Sequence, residues 1–262
     1  MLKKLIIILI ALAIPTAIAV TSGKTDTTKK TPVINIPEIT KYTSVDKTFT
    51  FSSTKNLFPF KGEVTEDLKD RFIEAVMLSS GKRFYIYFDS PGGSVFALSQ
   101  ILDTMKGSGK HFIGIARYAA SAAFMAFEHC DERFLLPGGV LMAHNASGGI
   151  HGDLPKMKSR LRSISRMVNR IDKNIAKIMR IPFKKYKKLI NNELWIDISN
   201  AKRYNAINGK GYVRCTKGLT KQRVRLVIEQ CNWLLGCVTV EKVVSGCPLI
   251  NKTYNKKKGV EK

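Results

Sequence analysis

Apolar positions along the chain fall into alternating blocks of two periods. After Thr65, which is placed to cap a helix, Leu68, Phe72, Ala75 and Val76 recur at helical spacing as far as about Leu78. Lys82 to Pro91 is a run of aromatic and β-branched residues, a short strand that stops at Pro91-Gly92-Gly93. Ser94 opens a second helical pattern, with Val95, Leu98, Ile101, Leu102 and Met105 on one face, until Gly107-Ser108-Gly109 breaks it. A strand from His111 to Ala116 leads into a small-residue helix from Ala119 to Phe127. Two more strands, Glu132 to Leu136 and Val140 to His144, follow. Strands alternating with helices predict βαβ units and a mainly parallel sheet, hence an α/β fold.

Beyond His144 one long pattern takes over. Asp153 caps it, Pro155 is tolerated in its first turn, and Met157, Leu161, Ile164, Val168, Ile171, Ile175 and Ile178 alternate steps of four and three until Pro182. Its other face is almost wholly basic, from Lys156 to Arg180, and Lys184, Lys185, Lys187 and Lys188 follow. This reads first as a solvated face and second as a surface for anionic partners or for subunit contact. The whole chain agrees in sign: 44 Lys and Arg against 20 Asp and Glu give a net charge of +24 over 262 residues. That charge bears on association, not on fold, while 44% hydrophobic residues exclude a disordered chain.

The ends carry other signals. Lys3-Lys4, an apolar run from Leu5 to Ile14, and Ala17-Ile18-Ala19 have the three regions of a secretory signal, with cleavage expected after Ala19. The rival is an uncleaved membrane anchor, but the stretch of about 16 residues from Leu5 to Val20, with Pro15 and Thr16 inside it, is shorter than the roughly 20 that span a bilayer. Residues 20–45, rich in Thr, Lys and Pro, read as a linker. Cys215, Cys231, Cys237 and Cys247 cluster near the carboxyl end, and Cys130 stands apart as a buried thiol. Lacking a C-x-x-C pair and any nearby His, the four predict two disulfides of open connectivity rather than zinc. Export to the periplasm or beyond is the expectation.

Four features share one chemistry: Ser90-Pro91-Gly92-Gly93-Ser94 after a strand, Ala119-Ala120-Ser121-Ala122 opening a helix, His144 ending a strand, and Gly148-Gly149 beyond it. A serine hydroxyl becomes a nucleophile when an imidazole takes its proton, and the resulting oxyanion needs backbone N–H donors that glycines leave unobstructed. His111, His129 and His151 read as surface or structural residues, and Asp197, just before a helix, as an N-cap with a secondary claim as an acid. Trp195 and Trp233 read as packing. No metal cluster or phosphate-binding glycine loop stands out.

In order and spacing these segments resemble the ClpP-class serine peptidases of the ClpP/crotonase superfamily. The shared run comprises Gly62-Glu63-Val64, Tyr85-Ile86-Tyr87-Phe88, Ser90 to Val95, Asp103-Thr104-Met105, Ala119-Ala120-Ser121, Arg133 to Pro137, Met142-Ala143-His144 and Gly148-Gly149. The resemblance covers roughly Gly62 to Tyr212. It implies a crotonase/ClpP-like spiral of ββα units with a protruding handle helix. It also implies Ser121 as nucleophile, His144 as general base, and Gly93 and Ala122 N–H as the oxyanion hole. The organisation expected is 1–19 signal, 20–45 linker, 46–210 ClpP-like domain, 211–250 small Cys-rich C-terminal extension and 251–262 basic tail.

The third triad member departs from the family. Ungapped pairing with that pattern puts Leu189 at the place of its Asp, and a Leu cannot orient an imidazole. The nearest polar residues are Asn191, Asn192 and Glu193, of which Asn191 is the favoured substitute, its carbonyl accepting the Nδ1–H hydrogen bond. Two smaller departures are Ala123 for a glycine and a Ser121–His144 interval two residues short. The function implied is an exported serine endopeptidase without cofactor, acting on peptides or unfolded protein, self-associating, with no ATPase partner. The alternative is a catalytically impaired basic module that binds anionic envelope components or nucleic acid.

Overall fold

A computed structural model describes residues 45–149, 151–232, 236–251 and 253–254. The expected signal (1–19) and nearly all of the linker (20–45) lie outside the described residues, as do Trp233 and most of the basic tail. In chain order the elements are β1 (Lys47–Phe51), β2 (Leu57–Val64), α1 (Glu66–Leu78), β3 (Arg83–Gly93), α2 (Val95–Gly107), β4 (His111–Ala120), α3 (Ala122–Glu128) and β5 (Glu132–Ala143). There follow α4 (Leu154–Ile178), α5 (Phe183–Ile190), β6 (Leu194–Asp197), β7 (Gly209–Cys215), α6 (Lys217–Lys221), β8 (Arg223–Asn232), β9 (Gly236–Ser245) and β10 (Thr253–Tyr254). The mixed α/β architecture with a mostly parallel sheet is that of the ClpP-like fold.

The main sheet runs β1-β7-β5-β4-β3-β2, every neighbour parallel, with β6 antiparallel to the far end of β5. Strand alternation divides its core into two layers. Phe84, Ile86 and Phe88 of β3 join Phe58, Phe60, Phe72, Phe112 and Phe127 beneath the helices, where ring pairs such as Phe58–Phe72 (5.3 Å) and Phe88–Phe127 (5.5 Å) meet edge to face. Tyr87, Ile113, Ile115 and Phe134 face the other way, against Phe51, Leu57 and Leu219 of α6. A sheet buried on both faces needs the near-continuous apolar strands this chain has.

The helix caps fall where the sequence places them. Thr65, Ser94 and Asp153 each accept a backbone N–H, from Leu68, Ala97 and Lys156. Three expected elements differ. The strands 132–136 and 140–144 are one strand, β5, with an irregularity in it: pairing with β4 stops at Leu135 and resumes at Val140, and Gly139 folds back close against Leu135 and the Ala116 carbonyl. The small-residue helix starts at Ala122, since Ala119 and Ala120 pair with Leu141 and Met142. Asp197 caps a series of turns over residues 198–205, not a helix; its carboxylate accepts from Ser199 and Asn200. The buried Arg133 holds those turns to β5 by donating to the carbonyls of Cys130, Asn205 and Ala206.

The main sheet also runs past residue 210, because β7 continues to Cys215, and a disulfide joins Cys215 to Cys247. In the second sheet, β10-β9-β8, the register sets Cys231 opposite Cys237. Cys130 is a buried free thiol.

On α4 the apolar stripe divides. Val168, Ile171, Ile175 and Ala176 are buried on the body, while Leu154 and Leu161 in the first half are 62% and 56% exposed. The handle therefore leaves the body over its amino-terminal half. Among the described residues no helix is long and apolar enough to cross a membrane.

Candidate active site

Ser121 stands alone between β4 and α3, at φ 53° and ψ −122°. A non-glycine residue in that region costs about 1–3 kcal/mol and persists only where its surroundings impose it. Here the Ser121 N–H donates to Met142 O of the neighbouring strand at 2.8 Å, and its carbonyl accepts the Met125 N–H at 3.0 Å. Gly92 lies against the same turn: a Cβ there would meet Ala120 O at 2.6 Å, Ser121 Cβ at 2.7 Å and Ala122 N at 2.8 Å. At φ 96° and 150°, Gly92 and Gly93 occupy conformations that L side chains rarely adopt. The buried Ser90 hydroxyl accepts the Gly92 N–H at 3.2 Å and fixes this approach.

The Ser121 side chain makes no helix-capping bond, which leaves Oγ free to point outward. His144 meets it. It follows Ala143, the last residue of β5, and the pairing of Ala120 with Met142 carries both side chains to the same end of the sheet. His144 Nε2 lies 2.7 Å from Ser121 Oγ, within the reach that proton transfer requires. Ala122, the first residue of α3, follows Ser121 directly, and Gly93, the residue after Gly92, pairs with Val64 at the end of β2. A hydroxyl in contact with an imidazole beside glycine-cleared backbone is chemically equipped for acyl transfer.

The side of the site behind His144 is different. Asn191, expected to orient the imidazole, uses its Oδ1 to accept from Asn145 Nδ2 at 3.3 Å. Ser121 Oγ is the recorded hydrogen-bond partner of His144 among the described residues. Leu189 packs on the core, and Asp197 is spent on its own turn. Asn145 Oδ1 in turn accepts from Lys187 Nζ at 2.7 Å, and Lys187 also meets Asp172 Oδ2 at 3.0 Å. Neither Asn145, Lys187 nor Asp172 was singled out by motif. One signal was present: Asp172 is the one acid among the residues of α4, and it sits beside Ile171 on the buried stripe.

Burial dominates the electrostatics there. Desolvation raises the Asp172 carboxyl above its ordinary range, against the opposing effect of Lys187. Glu128, fully buried at the end of α3, is pushed up to about 8 by burial, more than Arg133 at 3.4 Å lowers it. Neither Glu128 oxygen has a hydrogen-bond partner, so the neutral acid is the form that fits. Tyr186, buried nearby, is raised chiefly by burial and next by the Asp172 carboxylate. Among the described residues no cluster of three or more His, Cys, Asp or Glu could hold a metal ion.

Residues 44–209 match the family of Clp proteases. The chain is similar to ATP-dependent Clp protease proteolytic subunit 2 of Treponema denticola, 26% identical over 165 residues, covering 60% of this chain and 82% of the relative. Its likeness to the ATP-dependent Clp protease proteolytic subunit of Porphyromonas gingivalis is 29% identity over 158 residues, 57% of this chain and 71% of the relative. Subunit 2 from Borreliella burgdorferi is 26% identical over 156 residues, 56% and 77% of the two chains. With the matched region containing Ser121, His144 and the Gly92-Gly93 turn, the chain belongs to the Clp protease family.

Proposed function

We propose that this chain is an exported serine endopeptidase that cleaves through an acyl-enzyme at Ser121. His144 Nε2 takes the Oγ proton as Oγ attacks the scissile carbonyl. The Gly93 and Ala122 N–H groups receive the oxyanion, and the imidazolium returns its proton to the departing amine. Water then repeats the cycle on the ester. The observation that carries this reading is the 2.7 Å contact between His144 Nε2 and Ser121 Oγ, made by a serine held at positive φ.

Export is supported by the amino-terminal pattern and by the Cys215–Cys247 disulfide, a bond that persists in oxidising compartments. Outside the cytoplasm the chain would act without an ATPase partner, on short or already unfolded peptides. Self-association is supported by family membership and by the exposed Leu154 and Leu161 of α4. Any such contact has to screen or pair the basic residues around them.

A fluorophosphonate tests the mechanism directly, since attack by Oγ forms an O–P bond and expels fluoride while the imidazole takes the proton. Intact mass should show one adduct on the purified chain, and none on Ser121→Ala or His144→Ala. A folded, disulfide-bonded chain that takes no adduct overturns the peptidase reading and leaves a basic binding module, to be followed by salt-dependent binding of anionic ligands.

A further inference from the structure

The family's pattern puts an Asp behind the imidazole, and here that place on α5 is Leu189. The whole helix, Phe-Lys-Lys-Tyr-Lys-Lys-Leu-Ile, contains no acid. Something else must keep His144 at Ser121, because His144 and the residues after it, as far as Gly149, lie outside any helix or strand. The side chain of the very next residue is held at both ends of its amide. Asn145 Oδ1 accepts from Lys187 Nζ at 2.7 Å, and Asn145 Nδ2 donates to Asn191 Oδ1 at 3.3 Å. Lys187 is itself anchored: its Nζ lies 3.0 Å from Oδ2 of Asp172, whose side chain is wholly buried in α4.

We propose that Asp172, Lys187 and Asn145 form a clamp that positions the catalytic imidazole from one residue away, in place of a carboxylate on the ring itself. The inference rests on the serine-peptidase reading above. The three come from α4, α5 and the segment after β5, and α4 reaches the residue that follows the base through Lys187 of α5. The clamp offers an oriented imidazole rather than a charge on it. The Asp172 carboxylate is neutralised by Lys187, and the group that reaches the catalytic segment is a neutral amide. Asp172, Lys187 and Asn145 are therefore positioning residues, acting through His144 and not on substrate. Of the two contacts that Asn145 makes, the charge-assisted one to Lys187 is the shorter and the stronger.

The rate of fluorophosphonate labelling at Ser121 in the full chain, followed by intact mass, tests the clamp. Asn145→Ala leaves the buried Lys187–Asp172 pair intact, so its thermal midpoint should be retained while labelling slows about 10- to 100-fold through misplacement of the base. Asn145→Asp keeps an acceptor for Lys187, now a carboxylate paired with its ammonium, and loses the donor to Asn191. It should label within about threefold of the unaltered chain, the effect of one lost hydrogen bond. A merely structural role would not separate these two variants. Replacing Lys187→Met together with Asp172→Leu, which strands no buried charge, should match Asn145→Ala, and adding Asn145→Ala to that pair should slow labelling no further.

Labelling of Asn145→Ala at the unaltered rate overturns the clamp alone, as does Asn145→Asp labelling as slowly as Asn145→Ala, which would assign the effect to Asn191. Multiplicative losses in the triple variant overturn it as well. An unaltered chain that takes no label at all overturns the clamp together with the peptidase reading beneath it.

Discussion

On the nucleophile side of the active site, position comes from the main chain; on the base side it comes from side chains. Ser121 is set by its own N–H on Met142, by the first turn of α3 and by a glycine that no other residue can replace without collision. His144 follows a strand end, and the segment after it is tied by an amide, a lysine and a buried carboxylate drawn from three separate elements. The difference teaches where sequence can drift. Backbone geometry built on Gly92 tolerates no partial substitution, whereas side-chain anchoring can be reassigned to whatever polar groups a neighbouring helix presents. A Leu at the family's acid position is therefore compatible with an intact Ser121–His144 contact.

The largest expected effect comes from breaking the backbone side. Gly92→Ala forces a Cβ against Ala120 O at 2.6 Å and Ser121 Cβ at 2.7 Å, at a φ of 96°. Labelling at Ser121 should fall at least about a hundredfold, and the thermal midpoint should drop. Gly138→Ala, with nothing within 4 Å of its Cβ, should change neither.

On the side-chain side, single and paired substitutions should diverge in stability. Lys187→Met strands the buried Asp172 carboxylate and should cost about 3–5 kcal/mol in denaturant unfolding, toward the lower end because Lys187 is partly exposed. Lys187→Met with Asp172→Leu should recover much of that loss, since no unpaired charge is left behind. Equal losses in the two would show that the pair is anchored by something other than mutual charge.

A dependence on pH sharpens the same comparison. Glu128 has its folded-state pKa raised from 4.5 to about 8, with burial the larger cause and Arg133 opposing. Its contribution to stability is therefore fully present below pH 4.5 and is lost as pH rises toward 8, because the unfolded chain releases a proton that the native chain retains. Stability measured across that window should decline with pH. Glu128→Gln should flatten the decline, and a slope unchanged by the substitution would remove Glu128 as its source.

Much of the framework was legible along the chain, and particular residues show why. Helix caps are local, so Thr65, Ser94 and Asp153 could be read from one turn of sequence each. Strand β3 announced itself by an aromatic run. The failures share a cause. Whether Pro137-Gly138-Gly139 ends a strand depends on how closely β4 lies alongside, and whether Ala119 and Ala120 are helical depends on their partners Leu141 and Met142. The carboxyl-terminal sheet is formed by the antiparallel pairing of β8 with β9, ten residues each, and that register depends on both segments at once.

The resemblance of the segments, in order and spacing, to the ClpP-class peptidases was enough to nominate Ser121 and His144, because a nucleophile turn and a glycine pair need particular residue types at particular places along the chain. Local chemistry also sufficed for the split of the handle helix into basic and apolar faces. The union of Asn145, Lys187 and Asp172 was not available at that level. They are 42 and 15 residues apart in sequence, each is unremarkable alone, and the packing of α4 on α5 brings them to one point. A backbone conformation is a property of the residues that adopt it, but a side-chain contact between distant segments exists only once the core has set the distance between them.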